Sequence, residues 1–360
     1  MASEVVVIDR NARLPTRRRT ATEPVDARLL RTIATILPAD HPPISALDGE
    51  TQLEARADAT KLAIAADLDC WRYWCAKHQR DPFPADPEHI VLYLRQLEKD
   101  GRKPATLARR IASLAAVHQI VGIKTDQLPT NAAMVRNALK GMRRRKGVVQ
   151  KQAAPLRFGG ALATVKGFTV SALLGACVGD VQGLRDAALL SVGFDGGLRV
   201  SELVAVSAAD LEPDADGSGI LALRSSKTDQ DGKGSFVWLS PDTMRRVHAW
   251  LDASGIEQGP LFRRIAIDRK RAREAVAPVP YDQIAGNTRN WRSRLEGTPA
   301  SVAEVSFKLG SEALTRQGVN GIYRRVAEAA FDAGLVQIPV TKVLAALSAI
   351  STHSLRVGLT

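Results

Sequence analysis

The chain has 360 residues, 45% of them hydrophobic and 24% charged, and its 50 Lys and Arg against 38 Asp and Glu give a formal net charge of +12. That length allows two domains with separate cores; the longest apolar stretches, such as Ala187 to Phe194, are too short to cross a bilayer, and the start of the chain lacks a basic segment leading into a long apolar one. A cytoplasmic protein is expected, with no structural metal and no disulfides: Cys70, Cys75 and Cys177 have no zinc-ligand spacing and cannot all pair.

Residues 1–45 carry Arg10, Arg13, Arg17, Arg18 and Arg19, several prolines and one short apolar run, Leu29 to Leu37. They read as a mobile basic arm with a short helix near its end. Residues 46–146 read as an all-α domain of four or five helices. Leu62, Leu68, Tyr73 and Trp74 mark the first long helix, with Cys70 and Cys75 as core packing, and it breaks at Asp81-Pro-Phe-Pro-Ala-Asp-Pro87. Ile90, Tyr93, Leu94 and Leu97 give the second, closed by Asp100-Gly101. The third follows Pro104, with Leu107, Ile111, Leu114 and Val121 on one face and Arg109 and Arg110 on another. A shorter helix, about 132–142, runs into Arg143-Arg144-Arg145-Lys146.

The charge is concentrated here. Between Arg102 and Lys151 stand twelve Lys and Arg against a single acid, Asp126. A solvated helical surface normally mixes both signs, so a segment this one-sided has the footprint of a polyanion binder. Arg109, Arg110, Arg143, Arg144, Arg145 and Lys146 are its candidate contacts.

Residues 147–160, with Gly147, Pro155, Gly159 and Gly160, read as a linker. Residues 161–360 mix helix and strand. Ile220 to Arg224 and Phe236 to Leu239 alternate in the strand manner about a turn-rich segment and predict an antiparallel hairpin; helices are expected at Asp242 to Leu251 and Val319 to Ala333. Residues 264–312 are basic at first, then mixed, and match no pattern.

Three segments of this second half carry candidate chemistry. Arg199 follows the helix breaker Asp195-Gly-Gly197 among apolar neighbours, and a guanidinium so placed needs an anionic partner. Glu202, three residues on, supplies one locally, and a bound anion is the alternative. Lys227 sits at the mouth of the expected hairpin, where most lysines simply face solvent; Lys233 is its rival. His353 and Arg356 are spaced to share a helix face, though His-x-x-Arg alone is weak evidence.

Taken in chain order, Gly196-Gly-Leu-Arg199-Val-Ser-Glu202-Leu, Arg224-Ser-Ser-Lys227-Thr-Asp229 and His353-Ser-Leu-Arg356-Val-Gly358 resemble the active-site segments of the tyrosine recombinase (phage integrase) family. Upstream, Trp71-x-x-Trp-Cys75, the Pro-Ala-Asp-Pro loop, the helix from Thr106 to His118 and Lys140-Gly-Met-Arg-Arg-Arg145 resemble that family's helical core-binding domain. The resemblance implies an N-terminal SAM-like helical DNA-binding domain followed by a mixed α+β catalytic domain with a small antiparallel hairpin. It implies a site-specific recombinase that cleaves and rejoins duplex DNA through a 3′-phosphotyrosyl intermediate, without metal or other cofactor, as a possible homo-oligomer on DNA. In it Arg199 and Arg356 grip the phosphate, Lys227 is the general acid, His353 contacts the phosphate and Glu202 fixes local geometry.

The family's tyrosine nucleophile follows its His-x-x-Arg helix, whereas Tyr73, Tyr93, Tyr281 and Tyr323 all precede His353. The expectation is a copy of the catalytic domain truncated at its C-terminal end, with apolar surface left exposed near Leu355 and Leu359. The alternative is a non-catalytic DNA-binding remnant or a regulator that occupies recombination sites. A helix-turn-helix transcription factor accounts for the charge but not for Arg199, Lys227, His353 and Arg356 together.

Overall fold

The computed structural model describes residues 5–10, 14, 23–42, 46–147, 153–159, 167–223, 234–284 and 291–359. The chain divides into two compact units, one of residues 17–151 and one of residues 1–16 with 152–360.

The first unit is helical: α1 (Val25–Ala34), α2 (Ala46–Glu54), α3 (Asp58–Lys77), α4 (Pro87–Lys99), α5 (Pro104–Ile120) and α6 (Ala133–Lys146). Proline opens α4 and α5, where a missing N–H costs nothing, and the Asp86 carboxylate caps α4 by accepting from the Glu88 and His89 backbone N–H groups. Ile90, Tyr93, Leu94 and Leu97 of α4 and Leu107, Ile111 and Leu114 of α5 are buried, and Trp71 is fully so. The face of α3 differs from the expected one. Tyr73 is 73% exposed and Leu62 39% exposed, while Trp71, Ile64, Leu68 and Cys75 fill the core; Cys70 is also exposed, so only Cys75 packs as expected. The two tryptophans and Tyr93 stack there instead, at centroid separations of 5.2–5.5 Å. Lys61, buried on α3, donates to Asp26 at 2.6 Å and so fastens α1.

The other unit begins with β1 (Val5–Asp9), where the sequence suggested only a mobile arm. The remainder runs α7 (Val170–Gly175), α8 (Val181–Asp195), α9 (Val200–Ala205), β2 (Leu211–Pro213), β3 (Gly219–Leu223), β4 (Ser235–Leu239), α10 (Pro241–Ser254), β5 (Arg263–Lys270), α11 (Trp291–Glu296), β6 (Glu304–Ala313), α12 (Arg316–Asp332), α13 (Val340–Ala349) and α14 (Ser354–Leu359). Helix α8 is the centre, because Ala188, Leu189, Leu190 and Val192 are all fully buried, and a helix apolar on several faces must be covered on several sides. Trp250 of α10, also fully buried, donates its indole N–H to the Leu261 carbonyl at 2.8 Å. Strands β2, β3 and β4 form an antiparallel sheet in that order, while β6 pairs with β1 in parallel and with β5 antiparallel. Asp186, buried in α8, accepts from Arg185 and Arg325; burial pushes its pKa up, against both arginines.

His118 shows how polar groups are satisfied inside the helical unit. It has no exposed surface, its Nδ1–H donates to the Leu114 carbonyl at 2.7 Å, and its Nε2 accepts from the Ala85 N–H at 3.1 Å. Both ring nitrogens are used by the neutral form, and burial lowers the pKa. The unfolded chain takes up a proton below about 6.5 that the folded ring resists, so the contribution of His118 to stability is full above that pH and is lost as pH falls. Urea unfolding followed through tryptophan fluorescence checks this: native protein should lose more stability than His118→Gln between neutral and mildly acid pH, and equal losses would contradict it.

Candidate active site

Helix α8 ends in Asp195-Gly196-Gly197-Leu198. Gly197 has φ of +53°, a left-handed conformation that side-chain-bearing residues adopt at a cost, and Leu198 is buried just after it. The Asp195 carboxylate accepts from both the N–H and the hydroxyl of Ser240, at 2.8 and 2.7 Å, fixing this turn to the start of α10. Arg199 comes next, as the residue that precedes α9. Its backbone N–H donates to Glu202 Oε2 and its Nη1 to Glu202 Oε1, each at 2.8 Å. One carboxylate, 7% exposed, therefore holds both the backbone and the side chain of an arginine that is 24% exposed. The local partner allowed by the sequence is present, yet a guanidinium has five N–H donors and this pair engages only its Nη1 end.

Arg356 reaches the same turn from the far end of the chain. Its Nη1 donates to the Gly197 carbonyl at 3.1 Å, two residues before Arg199. Helix α14 is seated by close backbone approach: a Cβ on Gly358 would lie 1.9 Å from the Leu156 carbonyl oxygen, so only glycine fits, and the Leu156 N–H donates to the Ser354 carbonyl at 2.9 Å. The Asn320 side chain of α12 accepts from the Thr352 N–H. Leu355, expected near an exposed surface, is instead 1% exposed against α8, where a Cβ on Gly193 would meet it at 3.1 Å. His353 is exposed and stands just before α14 rather than within it, its N–H donating to the Ser351 hydroxyl at 3.3 Å and its carbonyl accepting from Val357. Tyr323 is 1% exposed, and burial raises the pKa of its hydroxyl.

Arg199, Glu202 and Arg356 thus meet around one turn, with His353 three residues from Arg356. Lys227 and its rival Lys233 lie outside the described residues. The strands on either side of them pair antiparallel, Leu223 opposite Ser235. Sequence reading missed the Asp195–Ser240 clamp, although Ser-Pro at 240–241 is a helix-start signal that could have pointed to it.

In the helical unit the expected basic face is only partly free. Arg110, with its side chain 12% exposed, donates to the Tyr93 hydroxyl and lies 3.7 Å from the buried Asp67 carboxylate, so its side chain packs within the unit. Burial pushes the Tyr93 hydroxyl up to about 12. Arg109 is half-exposed and bonded to Asp67, which also accepts from Ser113 at 2.7 Å. Arg145 and Lys146 are both held by Glu98. Arg143 and Arg144 are exposed and make no ion pair among the described residues.

No protein-family profile matches the chain. It is 33% identical over 226 residues, 61% of its own length and 63% of the other, to an integrase/recombinase XerD homolog of Selenomonas ruminantium. It is 24% identical over 235 residues, 64% of its length and 65% of the other, to the Cre recombinase of Escherichia phage P1. By this likeness the chain is related to proteins named as recombinases. It spans somewhat under two thirds of the length of these two relatives. Among solved structures, XerH site-specific recombinase bound to difH substrate aligns over 92% of this chain and 82% of that one, at 11% identity and a TM-score of 0.47. The Tn1549 transposon integrase in complex with transposon right end DNA aligns over 86% and 83%, at 13% identity and the same TM-score. Among the described residues no cluster of His, Cys, Asp or Glu could hold a metal ion, and no helix is long and apolar enough to cross a membrane.

Removing the Glu202 carboxylate should strand both the Arg199 N–H and its guanidinium. Glu202→Ala is expected to cost about 2 kcal/mol of folding stability, typical for a lost charge-assisted hydrogen bond at a mostly buried site. Chemical denaturation measures it, and a change below about 0.5 kcal/mol, the level of an ordinary surface substitution, would show that the pair does not hold the turn.

Proposed function

We propose that this chain is a site-specific DNA recombinase of the tyrosine class, acting on duplex DNA by phosphoryl transfer. The observation that carries the reading is Arg356 Nη1 on the Gly197 carbonyl, which brings two arginines 157 positions apart in sequence to one turn. Glu202 offsets one of the two positive charges, the other is met at this turn only by a neutral carbonyl, and a phosphodiester with two acceptor oxygens suits a pair of guanidinium groups. Glu202 presets Arg199, and the Gly197 carbonyl presets Arg356, so little reorganisation is needed when charge develops on the phosphate. His353 adds a hydrogen bond to the same phosphate. Lys227 is the general acid: as a tyrosine oxygen attacks phosphorus and the bond to the 5′ oxygen breaks, that oxygen takes the lysine proton. The covalent 3′-phosphotyrosyl link retains the bond energy for rejoining, and the reading requires no cofactor. DNA binding draws on the helical unit, with Arg143 and Arg144, which make no ion pair among the described residues, as phosphate contacts and Arg109 held in place by Asp67.

Tyr323 is not the nucleophile in this reading, because a side chain 1% exposed cannot reach a phosphodiester.

Two outcomes follow for a labelled duplex. Affinity should fall steeply with salt, and Arg143→Ala with Arg144→Ala should make the logarithmic salt slope shallower by about 2, near 0.9 per lost phosphate contact; salt-independent affinity would contradict DNA binding. With a nicked duplex and denaturing electrophoresis, Tyr323→Phe should leave the pattern of the native chain unchanged. A protein–DNA band abolished by that substitution would name Tyr323 as nucleophile and overturn this assignment.

A further inference from the structure

Much of the segment 264–312, which matched no sequence pattern, is a paired ribbon. Strand β5 pairs with β6 from Ile265 opposite Leu309 to Lys270 opposite Glu304, and the pairing continues in the same register through bridges joining Arg273 to Ser301 and Val276 to Thr298. Strand β1 accompanies β6 only over Glu304 to Lys308, so beyond Glu304 the ribbon is two-stranded. At about 3.4 Å per residue, the paired length from Ile265 to Val276 is about 40 Å. The tip holds α11 and the exposed Tyr281 and Trp291, with Arg292 over the Trp291 ring.

From Asp268 to Glu304 no described residue is buried. An isolated two-stranded ribbon is marginal in water, so this one contributes nothing to the core that would account for its length. Its charge does suggest a use. Arg269, Lys270, Arg271 and Arg273 place four cations in five positions, all exposed. The acids at the base are already engaged, Glu304 by Lys270 at 3.1 Å and Asp268 by Lys308 at 3.8 Å. Arg269, Arg271 and Arg273, spaced two residues apart, make no ion pair among the described residues. A two-stranded ribbon fits the major groove of B-form DNA, and unpaired arginines along it suit the phosphates on either side.

We propose that this ribbon is a second duplex-DNA-binding element, separate from the helical unit, with Arg269, Arg271 and Arg273 as its phosphate contacts. The inference rests on the recombinase reading for its ligand and adds a contact that reading does not require. The test compares three full-length chains by fluorescence anisotropy with a labelled mixed-sequence duplex across a salt series: the native chain, the triple variant Arg269→Ala, Arg271→Ala, Arg273→Ala, and the helical-unit variant Arg143→Ala, Arg144→Ala. Because none of the three arginines is buried, the triple variant should keep the native melting temperature. It is expected to bind several-fold more weakly, with a salt slope shallower by between about 2 and 3. Native affinity and slope in the triple variant, with a loss in the helical-unit variant, would overturn the ribbon proposal and leave the recombinase reading standing. Failure of the native chain to bind duplex would overturn both. Unchanged DNA binding together with a changed sedimentation coefficient would assign the ribbon to contacts between copies of the chain instead.

Discussion

The four-residue turn that ends α8 is the constraint on which the proposed site depends. A helix buried on several sides cannot shift without disturbing every neighbour, so packing fixes where α8 lies and Gly196-Gly197 fixes where it stops. That end is then tied by Asp195 to Ser240 and followed by a left-handed glycine. Arg199 inherits this rigidity. Glu202 takes up its backbone N–H and one end of its guanidinium, which removes rotamer freedom that an exposed arginine would otherwise lose on binding an anion.

The same turn offers one carbonyl outward, and Arg356 takes it. A neutral acceptor orients a guanidinium without cancelling its charge, unlike a second carboxylate. The difference matters for a group meant to meet a phosphate. Elsewhere in this unit an arginine does meet a carboxylate in the interior, where Arg185 and Arg325 both bond Asp186, and that cluster is spent on holding α8 and α12. The contrast separates arginines committed to structure from arginines left with donors to use. Arg110 and Arg109 of the helical unit divide along the same line, the first packed on Tyr93 and the second half-exposed beside Asp67.

Much of this was readable from residue order. The stripe of Ile90, Tyr93, Leu94 and Leu97 and the strands flanking the 224–233 segment follow from local periodicity, and Arg199 with Glu202 follows from i, i+3 spacing. What escaped reading depends on partners remote in sequence. Arg110 lies on the polar side of the α5 pattern, but a buried carboxylate on α3 draws it inward. Val5 to Ile8 looked like a fragment of an arm because its partner strand lies about 300 residues later. The β5–β6 ribbon gave no period-2 signal beyond its base, since a ribbon that covers no core has no apolar face to alternate. His353 fell outside its expected helix by a single residue, at a boundary that periodicity does not define.

If Arg199 and Arg356 are prepared for one anion, their contributions to binding it cannot be independent. A double-mutant cycle on duplex affinity, using Arg199→Ala, Arg356→Ala and the pair, measured on chains shown to be equally folded, tests that claim most directly. Two arginines on a shared phosphate should give a coupling above about 1 kcal/mol, and single losses that add to within about 0.5 kcal/mol would contradict a common site.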